Sequence, residues 1–163
     1  MATAGSDVRP SFDAYMLELA RTAAIRGTCV RRRQGAVLVR GTRVIATGYD
    51  ASPPGAPRCD EGGCSWSAPG ASAADQGRCI AVHAIASVLL PASAEQLDGA
   101  SVFATSVPCL RCATLVAAAG VAEVVAAGGR YDGWDEVRDL LLTCGVRVRV
   151  LDGLEGVPSL SLA

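Results

Sequence analysis

Apolar positions first recur at helical spacing. Phe12, Met16, Leu19 and Ala23 share one face behind Ser11, whose hydroxyl can accept from a first helical turn, so the spacing predicts an amphipathic helix over 11–26 closed by Gly27. Two short apolar runs follow, 36–39 and 44–47, on either side of Gly41 and Thr42, and read as a hairpin with both strands buried. From Gly48 to Arg78 periodicity gives way to Gly, Pro and Ser with two cysteines, a third following at once. A loop of roughly 30 residues is long for a compact domain and calls for a function or a staple. Periodicity returns over 80–90, a helix stopped by Pro91. A strand over 101–105, a helix over 109–119 closed by Gly120, a strand over 122–127, a helix over 134–143 closed by Gly145 and a strand over 146–151 complete the pattern. A hairpin followed by alternating strands and helices predicts an α/β domain, a mixed five-stranded sheet covered on both faces in three layers, α/β/α.

Composition narrows the class. Half of the 163 residues are apolar, enough for one core and too few for two ordinary domains, so 11–151 is expected to be one domain, with a flexible arm at 1–10 and a tail at 152–163. The arm is small and polar without the apolar stretch of a signal peptide, and no run approaches the roughly 20 apolar residues of a membrane span. The expected compartment is the cytoplasm, with no membrane partner. Lys plus Arg number 15 against 16 Asp plus Glu, and aromatics are 4%, so neither a basic footprint nor a stacking platform points to a nucleic-acid polymer. A small soluble ligand fits better. Seven cysteines, an odd number without an export signal, argue for metal binding over disulfides.

His83 falls near the start of one expected helix, and Pro108-Cys109-Leu110-Arg111-Cys112 opens another. Residues three apart share a helical face and a helix N-terminus lowers a thiol's pKa, so Cys109 and Cys112 can grip one ion together with His83. Three such ligands leave Zn²⁺ a fourth position for water, the catalytic rather than the structural pattern.

A His-x-Glu followed by Pro-Cys-x-x-Cys marks the zinc deaminases, and this chain carries all of it except the glutamate. Over roughly 12–151 it resembles the deoxycytidylate deaminases of the zinc-dependent cytidine deaminase superfamily. The resemblance rests on Arg26-Gly27-Thr28-Cys29, Gln34-Gly35-Ala36-Val37, Gly48-Tyr49-Asp50, His83-Ala84-Ile85 and Pro108 to Cys112. It implies a cytidine-deaminase-like fold, a pyrimidine nucleotide such as dCMP or a related heterocycle as ligand, and a homo-oligomer. It also implies a second, structural zinc held by Cys29, Cys59, Cys64 and Cys79, which would staple the long loop.

The resemblance places Ile85 where the family's glutamate shuttles protons, so hydrolytic deamination is expected to be lost or strongly impaired. A repurposed or non-catalytic relative, for instance in secondary metabolism, is the alternative. The resemblance places Asp50 where the family has a substrate-touching asparagine, and two readings of it stand, a carboxylate supplied from another wall of the pocket or turn chemistry alone. Arg26 and Tyr131 match positions near the nucleotide phosphate, and Arg31, Arg32 and Arg33 read as a solvated face or as the rim of a phosphate entrance. Cys144, on an apolar helix face, is expected to be packing.

Overall fold

The computed structural model describes residues 9–152 except 73, 75 and 76. Most of the expected arm and tail therefore lies outside the described residues. Helix α1 spans Phe12–Ala24, with the Ser11 hydroxyl accepting from the Ala14 N–H at 3.2 Å. It stops two residues short of Arg26, because the N–H groups of Ile25, Arg26 and Gly27 close a final tight turn on the carbonyls of Thr22, Ala23 and Ala24. Strands β1 (Gly35–Arg40) and β2 (Arg43–Tyr49) form the expected hairpin, turned at Gly41, whose φ of 61° lies where a side chain would be strained. After the long loop come α2 (Ala84–Leu89), α3 (Ala94–Leu97), β3 (Ser101–Ala104), α4 (Leu110–Ala118), β4 (Glu123–Ala126), α5 (Trp134–Thr143) and β5 (Arg147–Val150).

The sheet runs β2-β1-β3-β4-β5, with β1 antiparallel to both its neighbours and β3, β4 and β5 parallel. It is the mixed five-stranded sheet that the alternating strands and helices predict. The two-residue period of the strands divides its core. Val37, Val39, Phe103 and Val125 pack on α1 with Met16, Leu17 and Ala20. Ala36, Leu38, Val102, Ala104, Val124 and Ala126 point the other way, onto the side chains of α2, α4 and α5. Gly35 and Gly48 set two close approaches. A Cβ on Gly35 would lie 1.8 Å from the Ala20 carbonyl oxygen of α1, and one on Gly48 would lie 2.9 Å from the Ala84 carbonyl oxygen and the Ser87 side chain of α2. The second approach brings the end of β2 against the start of α2, where the candidate site lies.

Three expectations need correction, and one short helix lies outside them. Only β1 is buried along its length: β2 is the sheet's outer strand and leaves Arg43 and Val44 exposed. The helix expected over 80–90 starts at Ala84, because Val82 exchanges backbone hydrogen bonds with Ala51 at 2.8 and 3.2 Å and holds the preceding segment extended. Cys144 is exposed at the end of α5 rather than packed. The short α3 was missed, although Ser93 and Gln96 form its reciprocal capping box and spell its signature in the sequence. No helix among the described residues is long and apolar enough to cross a membrane.

Candidate metal centre

Two helix starts and one strand end converge on a cavity of about 760 Å³. His83 is the N-cap of α2 and Cys109 the N-cap of α4, with Cys112 one turn into α4 on the same side. His83 Nδ1 lies 3.4 Å from Cys109 Sγ and 3.5 Å from Cys112 Sγ, and the three ligand atoms all fall within 4.8 Å of one another. Tetrahedral zinc with bonds of roughly 2.05 Å to nitrogen and 2.3 Å to sulfur sets its N and S ligands about 3.6 Å apart. The spacing therefore suits that ion.

The protonation pattern agrees with this donor set. A hydrogen bond from Cys112, helped by His83, pulls the Cys109 thiol down to about 3, against the burial that opposes it. Cys112, as the donor to that thiolate and itself buried, is pushed up, and His83 is raised chiefly by its bond to Cys109. Metal binding must displace the remaining protons from Cys112 and His83, so affinity should grow with pH.

Asp50, at the end of β2, is a buried charged residue, 7% exposed, lining the same cavity. One carboxylate oxygen accepts from the Ala84 N–H at 2.7 Å, and the other has no hydrogen-bond partner among the described residues. Burial pushes its carboxyl from 3.8 up to about 6, opposed by the Ala84 bond and by His83. The folded chain therefore binds this proton more tightly than the unfolded chain. Its contribution to stability is full below about pH 4 and is lost as pH rises through 6, about 3 kcal/mol at pH 7. Asp50→Asn, which keeps an acceptor for Ala84 without the charge, is expected to flatten this slope and to be the more stable protein at pH 7. Urea unfolding of both metal-free chains between pH 4 and 8 checks it, and parallel stability profiles would refute it.

Ile85 also lines the cavity, 5% exposed, in the first turn of α2. Tyr131 reaches the cavity with its ring edge-on to Trp134, and its hydroxyl donates to the Pro108 carbonyl at 3.0 Å. Arg26 is not brought there: it stacks over Tyr49 at 5.9 Å beside a separate cleft. The cavity's arginines are Arg32 and Arg111. Of Arg31, Arg32 and Arg33, which read as a solvated face or as the rim of a phosphate entrance, Arg32 is the one that lines the cavity.

No disulfide joins any of the seven cysteines. Cys29, Cys59 and Cys64 are buried and Cys79 half-buried. Cys59 and Cys79 each interact with Cys64 and feel the charge of Cys29, and burial first of all raises both thiols.

Residues 10–128 match the family described as the cytidine and deoxycytidylate deaminase zinc-binding region. The chain belongs to that family. It is 40% identical over 143 residues to the deoxycytidylate deaminase of Schizosaccharomyces pombe, covering 86% of this chain and 44% of the relative. The deoxycytidylate deaminase of Mycobacterium phage D29 is 43% identical over 121 residues, 72% of this chain and 94% of the phage protein. The chain thus spans less than half of the yeast relative but nearly all of the phage one. Among solved structures, the dCMP deaminase of cyanophage S-TIM5 in apo form shares the fold with a TM-score of 0.67 at 23% identity, covering 88% of this chain and 99% of that one. The same phage enzyme has been solved in complex with dCMP and dUMP.

Proposed function

We propose that the chain binds one zinc ion through His83, Cys109 and Cys112 and a pyrimidine nucleotide of the dCMP type in the adjoining cavity, with hydrolytic deamination lost or strongly impaired. Zinc held by an imidazole and two thiolates keeps one position for water and makes that water more acidic. The chain's own task is then to move protons from the water to the ring nitrogen and to departing ammonia. Family membership supports the zinc and the nucleotide. The carrying observation is Ile85: a side chain that neither takes nor gives a proton lines the cavity two residues after His83. It stands in the position of the family's glutamate, and loss of such a group costs about 10²- to 10⁴-fold in rate.

Asp50 favours a second reading, a repurposed relative with different chemistry on a related ring. Two cavity positions then differ together: a carboxylate is lost from α2 and one is gained at the end of β2. Asp50 lines the cavity with one carboxylate oxygen bonded to the Ala84 N–H, so the other can accept a hydrogen bond from a ligand, and Asp50→Asn separates that role from proton transfer. In either reading the Cys29, Cys59, Cys64 and Cys79 cluster takes a second, structural zinc, and the protein assembles with copies of itself.

Incubating the zinc-loaded chain with dCMP while following both its melting temperature and the nucleotide's mass tests the proposal. Stabilisation by dCMP with the amine intact is expected, since a ligand that prefers the folded state raises the midpoint. Absence of any shift with pyrimidine nucleotides would reduce the chain to a zinc-stabilised structural protein.

A further inference from the structure

The chain holds only seven aromatic residues, two Trp, three Tyr and two Phe. Most have evident structural partners. Phe12 meets Phe103 edge-on at 6.0 Å between α1 and the sheet, Trp134 is buried with Tyr131 against it, and Tyr49 lies under Arg26. Trp66 is different. It lies in the long Gly/Pro-rich loop, in a single tight turn over Ser65–Ser67 directly after Cys64, and belongs to neither core cluster. It is half-buried, and it lines the cavity that holds His83, Cys109 and Cys112.

Its position is fixed by a residue 35 positions earlier in the chain. The Arg31 guanidinium sits 4.9 Å from the centre of the indole, and the Arg31 Nε–H donates to the Trp66 carbonyl at 2.7 Å. One arginine therefore holds both the ring and the backbone of the turn. Neither contact serves the hydrophobic core. An indole kept out of the core, immobilised by a cation and presented to a cavity is the arrangement that favours stacking: the ring has few torsions to lose, and holding it beforehand lowers the entropy cost of contact. The cavity's other aromatic, Tyr131, has its hydroxyl committed to Pro108.

We propose that Trp66, clasped by Arg31, is the wall on which the flat heterocyclic ring of the ligand rests, making the cysteine-rich loop part of the binding site as well as a zinc-stapled segment. This rests on the reading of the ligand as a pyrimidine nucleotide and adds the residue that recognises its ring. Stacking is worth about 1–3 kcal/mol per base by alanine substitution, which corresponds to roughly 5- to 150-fold in affinity.

The test is calorimetric titration of the zinc-loaded full chain, and of its Trp66→Ala and Trp66→Phe variants, with dCMP and with 2-deoxyribose 5-phosphate. Trp66→Ala should weaken dCMP by that factor, Trp66→Phe should recover most of it, and the ringless phosphate should bind all three alike. In a Trp134→Phe background, where Trp66 is the remaining tryptophan, dCMP should quench the tryptophan fluorescence. Unchanged dCMP affinity in Trp66→Ala overturns the ring contact while leaving the nucleotide reading intact. Equal weakening for both ligands also overturns it, since that marks a collapsed loop. An unaltered chain that binds no dCMP overturns the nucleotide reading and this inference with it.

Discussion

Ile85→Glu is expected to raise ammonia release from dCMP by roughly 10²- to 10⁴-fold over the unaltered chain, the gain associated with one positioned acid-base group. Ile85 lies in the first turn of α2 and lines the cavity, so a carboxylate there would reach the space beside His83, Cys109 and Cys112. The substitution has a structural cost. Ile85 packs in the cluster with Leu38, Val88 and Val116, and replacing it with a polar side chain costs about 1–3 kcal/mol where hydrogen bonding is incomplete. Ile85→Gln is therefore the control, close in shape to the glutamate yet unable to shuttle protons, and it should release no ammonia. If Ile85→Glu stays folded, keeps its zinc and is as inert as Ile85→Gln, the role assigned to Ile85 fails and the repurposed reading gains.

The second large effect concerns the loop. Cys64 is 4% exposed and is the thiol with which both Cys59 and Cys79 interact. A segment of Gly, Pro and Ser buries little apolar surface of its own, so a metal staple would supply much of its order, and structural zinc contributes about 10–16 kcal/mol in zinc-finger peptides at pH 7. Cys64→Ser is expected to lower bound zinc from two ions per chain to one, to expose the loop to limited proteolysis, and to cost more than about 4 kcal/mol of stability, a range that single substitutions reach through a short set of mechanisms that includes metal loss. Zinc counting by mass spectrometry of the native protein checks it. An unchanged count, or one ion already in the unaltered chain, would rule out the second site.

Much of this architecture was legible because local signals and tertiary packing agree. Gly120 and Gly145 both take the left-handed conformation that ends α4 and α5, and Trp134–Thr143 begins and ends where its periodicity does. The metal cluster was legible for a related reason: its ligands sit at helix starts, where a short sequence pattern fixes their relative direction. What failed depended on partners remote in sequence. The start of α2 moved because Val82 pairs with Ala51, and the exposure of β2 follows from its place as an outer strand, which its own apolar residues do not encode. Arg26 and Arg32 lie six positions apart, yet only the fold decides that Arg32 faces the cavity while Arg26 turns to Tyr49. The clasp of Arg31 on Trp66 spans 35 residues and leaves no periodic trace.

The proton-shuttling carboxylate that α2 lacks is the centre of this account. Its most direct test is the mass of dCMP after prolonged incubation with the unaltered chain, with zinc at His83, Cys109 and Cys112 verified beforehand. The account predicts dCMP recovered intact, or converted at least about 10²-fold more slowly than by Ile85→Glu. Rapid conversion to dUMP by the unaltered chain would contradict it.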